Sequence, residues 1–237
     1  MASPVAGHYI KVRLVMRLRL WNIIAVGLLA SALARADDQI VTADFSVGVD
    51  DKGLPRSWYL KERSGQADFS VLNCDGLSAL VLRSTNTSFS FQKEVKVDLK
   101  EYPILSWKWK VNKLPKGGDF RRAKTDDQAA QLFLALSRTK AIVYIWDTSA
   151  PQGLMADALA PPLMSIKVVV VRSGPAETGK WLSESRNVWE DYKRLYGESD
   201  KPAAVCGMRM QINTQHTKTS AESAFADVMF KKQDGGR

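Results

Sequence analysis

Histidine is almost absent from this chain: two occur in 237 residues, His8 and His216. His8 lies in an N-terminal segment with the features of an export signal, so the mature protein keeps one. A zinc site built on several histidines is thereby excluded, as is any mechanism that needs two imidazoles. A Ser-His-Asp triad would have to use His216, which sits in the polar run Asn213-Thr214-Gln215-His216-Thr217 with no G-x-S-x-G elsewhere. The glycine signatures of nucleotide sites, G-x-x-x-x-G-K-[ST] and G-x-G-x-x-G, are also missing. No cofactor is implied. Cysteine is scarce too. Cys74 lies in a turn, Asn73-Cys74-Asp75-Gly76, and Cys206 shares the parity of Met208, Met210 and Ile212, a pattern that reads as a core face. The two can pair as a disulfide in an oxidising compartment or remain free thiols, and the sequence leaves both open. Neither has the helix-start or histidine context of a nucleophile.

Acidic residues are absent before Asp37. Lys11, Arg13, Arg17 and Arg19 precede an apolar run, Leu20–Leu29, and then small residues; Ala34-Arg35-Ala36 fits signal peptidase cleavage before Asp37, with Ala32-Leu33-Ala34 as the competing site. The apolar run is short for a membrane span of about 20 residues. Met16 is an alternative start. The expected organisation is a signal peptide over residues 1–36 and a single domain over 37–237, periplasmic or secreted, with no membrane span after cleavage. Removing the signal lowers the charge. The whole chain carries 34 basic and 25 acidic residues, and five of the basic ones lie in 1–36, so the remainder is 29 − 25 = +4. A balance this mild, with no arginine-rich tract, gives no support to a nucleic-acid partner.

What remains is rich in β-formers. Candidate strands are 41–47, 57–61, 77–84, 87–93, 104–113, 131–137, 141–146, 165–172, 204–214 and 224–231, divided by turn residues. In Leu105–Val111, period-2 alternation puts Leu105, Trp107, Trp109 and Val111 on one face and Ser106, Lys108 and Lys110 on the other, as in an antiparallel sheet with one wet face. Val168–Val171 is apolar on both faces and is expected centrally. Residues 183–196 have near-helical apolar spacing and a stop at Gly197. The fold class expected is a mainly β, two-sheet antiparallel sandwich of jelly-roll type with one amphipathic helix near 183–196.

The chemistry-bearing candidates gather between Gly117 and Trp146. Asp119, Asp126 and Asp127 share one loop with Gln128, and Asp147 ends a strand. Paired carboxylates can serve glycoside hydrolysis, although here they can equally cap a strand or pair with Arg121, Arg122 or Lys124. The spacing matches no EF-hand, and no metal site is assigned. Six tryptophans follow the signal. Trp107 and Trp109 read as core, while Trp146 and Trp181, near strand ends, are candidates for stacking on a sugar ring.

Several phrases recur together: Tyr102-Pro103, Leu105–Val111, Leu114-Pro115 with Asp119, Asp126–Ala129, Tyr144-Ile145-Trp146, Val170–Gly174, and Trp181 with Arg186-Asn187-Val188 and Asp191-Tyr192. In this order, over about Phe45 to Phe230, the chain resembles the domain-of-unknown-function family 3047, exported bacterial proteins. The resemblance implies an extracytoplasmic, mostly β domain and no established activity. One departure stands out: where the family carries an acidic D-x-D-N-T-like loop, this chain has Asn213–Thr217. A cation held there in relatives would be lost or weakened here.

Three functions are consistent with this reading. The leading one is a non-catalytic sandwich binding a glycan or other cell-envelope ligand through Asp119, Asp126, Asp127, Gln128, Trp146 and Trp181. The second is a polysaccharide hydrolase with two carboxylates from Asp119, Asp126, Asp127 and Asp147. The third is a structural envelope component.

Overall fold

The computed structural model describes residues 38–197 and 204–233; the segment expected to be a signal peptide, 1–36, lies outside them. Among the described residues, thirteen strands make two sheets. Four strands, β4 (Leu77–Thr85), β6 (Ile104–Lys113), β11 (Leu182–Asn187) and β13 (Ser220–Lys231), join β3 (Asp68–Cys74) in the order β11-β6-β13-β4-β3, and β1 (Gln39–Ala43) pairs with β13. The second sheet comprises β2 (Tyr59–Ser64), β5 (Ser88–Asp98), β7 (Ala130–Ala135), β8 (Lys140–Asp147), β9 (Met155–Asp157), β10 (Ser165–Ser173) and β12 (Ala204–Asn213). Its order is β2-β5-β12-β7-β8-β10-β9.

The two-sheet sandwich expected from the alternating runs is the architecture observed. The pair β8 with β10 runs parallel; the pairs β9–β10, β11–β6, β12–β5, β12–β7, β13–β4, β13–β6, β2–β5, β3–β4 and β7–β8 are antiparallel. A parallel pair needs a long connection. Here that connection, 148–164, carries β9 and a loop back across the outside of the sheet. β10 has a neighbour on each side, but β9 is short, so the Val168–Val171 run lies next to an edge rather than centrally. The helix α1 spans Val188–Tyr196, not 183–196. Residues 183–187 instead extend β11 along β6, from Ser183 opposite Lys108 to Asn187 opposite Ile104. Asn187 then caps the helix by accepting from the Glu190 N–H, and Gly197 ends it at φ 66°.

Alternation builds the core. Leu60, Phe91, Met210, Leu132, Tyr144 and Val169 form one row across the seven-stranded sheet by register, and all but the partly buried Leu60 are core. Against this sheet packs the apolar face of β6. Trp107 lies 5.4 Å from Trp109, edge to face, and 5.4 Å from Tyr144, while Trp109 reaches Trp146 at 6.0 Å and Phe225 at 6.3 Å. These rings tie the sheets together.

The cysteines are free, Cys74 partly buried and Cys206 exposed. The parity argument placed Cys206 on the core face with Met208. A bulge between Val205 and Gly207 breaks that parity, so Val205 turns inward and Cys206 outward.

Candidate functional site

The row beside each core row of the seven-stranded sheet faces outward. Tyr59, Gln92, Arg209, Phe133, Val143 and Val168 are paired in register from β2 to β10. The row on one side contains Gln211, Gln131 and Ile145, and the row on the other contains Glu94, Gly207, Ala135, Ala141 and Ile166. All of these residues line a groove of about 760 Å³. Its floor changes character across the strands. Amides and Arg209 occupy β5, β12 and the near part of β7; aliphatic side chains occupy β8 and β10. The loop 158–164 forms the rim on the apolar side, through Leu159, Ala160, Pro161 and Met164, and Tyr59, 71% exposed, stands at the other.

Local chemistry fixes the polar end. Asn213, at the end of β12, accepts at Oδ1 from the Gln128 N–H (3.1 Å) and from Gln131 Nε2, and donates from Nδ2 to Asp126 O (2.7 Å) and Asp127 Oδ1 (3.1 Å). Gln128 in turn donates to Asp126 Oδ1 at 3.0 Å. Three polar atoms of this face are buried without a partner, Ser90 Oγ, Arg209 Nε and Gln211 Oε1, and Ser90 and Gln211 are opposite each other in register. A buried unpaired acceptor is costly, so Gln211 marks a place where a donor from a ligand would be favoured.

The structure separates the residues singled out by sequence. Asp126 and Gln128 do line the groove. Burial raises the Asp126 carboxyl above its ordinary value, against the lowering by its bond from Gln128. Asp127 is fully buried behind them, accepting from Thr217 N (2.6 Å) and Thr217 Oγ1 (2.7 Å) and from Asn213. It is the internal clamp between the 117–128 loop and the 214–217 turn. The loop fits closely there. A Cβ on Gly118 would lie 2.5 Å from the Asp127 carbonyl oxygen, so only glycine allows that approach. Asp119 is held by Arg121 (2.8 Å) and Arg122 (3.3 Å), and the Arg121 bond lowers its carboxyl below the ordinary range. Asp147 is fully buried and accepts from the backbone N–H groups of Phe120, Ser149 and Ala150; burial nonetheless raises its carboxyl. By these bonds Phe120 is laid over Val143, Ile145, Val168 and Val170 to close the apolar end.

The two tryptophans proposed as a stacking platform are elsewhere. Trp146 is 1% exposed, packed on Trp109, with its indole N–H donated to Gly174 O at 3.0 Å. So enclosed a ring offers no face to a sugar. Trp181 packs beside Ala79, Val81, Ala224 and Ala226. Their sequence neighbours Leu80, Leu82 and Phe225 point into the core, so Trp181 lies on the outside of the other sheet, away from the groove. Of the four carboxylates considered for hydrolysis, only Asp126 reaches the groove. The other acid lining it, Glu94, sits opposite Gly207, six residues along β12 from the Asn213 that binds Asp126. Six strand residues span roughly 20 Å, against the about 5 to 10 Å that separates the carboxyls of a glycosidase.

Sequence reasoning missed Arg209, Gln211, Gln131, Phe133 and Tyr59. A signal for two of them was present: Met208, Met210 and Ile212 alternate with Arg209, Gln211 and Asn213, and an inward apolar face implies an outward polar one.

The family described as "Protein of unknown function (DUF3047)" matches residues 56–229. The chain belongs to this family. No curated protein matches it. Among solved structures it is similar to the xyloglucanase domain of NopAA, a type three effector from Sinorhizobium fredii, at 9% identity and TM-score 0.46, over 75% of this chain and 94% of that one. It is also similar to the family 11 carbohydrate-binding module of a cellulosomal cellulase of Clostridium thermocellum, at 10% identity and TM-score 0.44, over 82% and 95%. A third is the endoglucanase cel12A from Rhodothermus marinus, at 6% identity and TM-score 0.46, over 82% and 99%. At such identities the likeness speaks to architecture alone. No helix among the described residues is long and apolar enough to cross a membrane.

Proposed function

We propose that this DUF3047 member is an exported protein that binds an oligosaccharide, without cleaving it, along the groove of its seven-stranded sheet. The observation that carries the reading is the two-sided floor. Sugars present hydroxyls at their edges and C–H surface on their faces. The groove offers amides, one with a buried unpaired oxygen, beside an aliphatic strip and an exposed Tyr59. Binding rather than hydrolysis is supported by the wide separation of Asp126 and Glu94. Export is supported by the basic, apolar and small-residue succession of residues 11–36.

The decisive variant is Gly207→Trp. A Cβ there meets Ala135 Cβ at 3.5 Å and Lys93 O at 3.7 Å, ordinary contacts, so the backbone accepts a side chain at this groove-lining position. Titration with β-glucan, chito- and uronate oligosaccharides should show binding to at least one class. Gly207→Trp should abolish that binding while leaving the melting temperature within a few degrees. Silence of all three classes, or binding untouched by Gly207→Trp, overturns the reading. N-terminal sequencing of the protein recovered from a periplasmic fraction should begin at Asp37; recovery of the full-length chain from the cytoplasm would refute export.

A further inference from the structure

Arg209 lies in the middle of the groove floor with its guanidinium carbon 3.4 Å from the centroid of Phe133. A guanidinium stacked flat on a ring is held in one plane, and its edge is then the part free to bond. No carboxylate among the described residues pairs with it, and its Nε is buried without a partner. Arg63 is close enough to repel it, and Arg63 and Arg138 also line the groove, with no carboxylate partner among the described residues. By contrast Arg83, Arg121, Arg172 and Arg186, all outside the groove, each have a carboxylate partner. A half-buried cation with a second cation beside it and no counterion is a destabilising arrangement for the free protein. It is relieved by an anion.

We infer that the oligosaccharide bound in the groove carries a compact oxyanion (a carboxylate, sulfate ester or phosphate ester) that seats on Arg209 with Arg63 beside it. A guanidinium fork matches the two oxygens of such a group. Burial and then Arg63 lower the Arg209 pKa to about 9, which leaves the side chain charged at neutral pH and ready for an anion. The inference rests on the oligosaccharide reading and narrows it to acidic glycans.

The test uses the mature protein with three probes: tri-galacturonate, the same trisaccharide with its carboxyls reduced to alcohols, and inorganic sulfate. Tri-galacturonate should bind about tenfold or more tighter than its reduced form, the size of one hydrogen bond to a charged group, and the margin should shrink with added salt. Arg209→Gln should erase the margin and keep the weak binding of the neutral sugar. The unliganded Arg209→Gln protein should melt at the same or a higher temperature than wild type, because an uncompensated charge has gone; a residue serving only to brace the sheet would lower it. Arg63→Gln should cut the margin in part and supplies the same comparison should Arg209→Gln fail to fold. Equal binding of both sugars, unaffected by Arg209→Gln but abolished by Gly207→Trp, overturns the oxyanion and leaves the oligosaccharide reading intact. Arg209-dependent binding of sulfate with no sugar bound supports the anion site and overturns the oligosaccharide reading. Silence of every probe overturns both.

Discussion

Asp127 and Asp119 are neighbours in one charged loop and do opposite work. Asp127 is sealed inside and holds the Thr217 N–H, the Thr217 hydroxyl and the Asn213 amide. Asp127→Ala strands these donors and should cost about 3 kcal/mol in urea denaturation, with loss of the polar end of the groove. Asp119 is salt-bridged, and its folded carboxyl lies below the ordinary value of 3.8. Its contribution to stability is therefore complete above that value and is lost as pH falls through the lower, folded pKa. Asp119→Asn should lower the melting temperature near neutrality and flatten the decline on acidification. Asp147 runs the other way. Its raised carboxyl favours folding at low pH and loses that contribution as pH rises through the folded pKa. Such differences between aspartates were not legible in D-F-R-R-A-K-T-D-D, where every acid looks alike. Asp119 pairs within that run, with Arg121 and Arg122, whereas Asp127 takes its partners from far along the chain, Asn213 and Thr217.

At the level of elements, alternation carried most of the reading. β6 was bounded correctly because its aliphatic and aromatic residues alternate without a break. β11 was missed because Ser183-Glu184-Ser185-Arg186-Asn187 has almost nothing apolar; it is a strand because β6 offers it a free edge, and because Glu184 accepts from Trp109 Nε1 at 3.0 Å and from Arg172 Nε at 2.7 Å. That bond has a measurable consequence. Trp107 Nε1 is buried with no partner, so Trp107→Phe removes bulk only, whereas Trp109→Phe also removes the Glu184 bond. Trp109→Phe should be the more destabilising by about 1 kcal/mol. The end of β11 is also the start of α1, and Asn187→Ala should cost about 1 kcal/mol through loss of the cap; the folding of the groove-bearing sheet is the control. Gly207, the most useful groove position for mutagenesis, was hidden by the bulge at Cys206, which no pattern of residue types announces.

For the whole molecule, the sheets are joined by rings. Trp146→Ala removes a fully buried indole and should cost about 3 to 5 kcal/mol. Any loss of function in that variant is loss of fold, visible as a shifted denaturation midpoint. The two cysteines lie on different sheets and are unbonded, so a reducing agent should leave the midpoint of the monomer unchanged.

The last two strands among the described residues, β12 and β13, lie in the interior of the two sheets, β12 between β5 and β7 and β13 between β6 and β4. Neither sheet can close until residues 204–231 have been made. A chain emerging from the ribosome can pair β3 with β4, β2 with β5 and β7 with β8 early, but the halves of each sheet stay apart until β12 and β13 appear. The order of strands in space, rather than any slow local step, thus sets when the two halves of each sheet can first be joined.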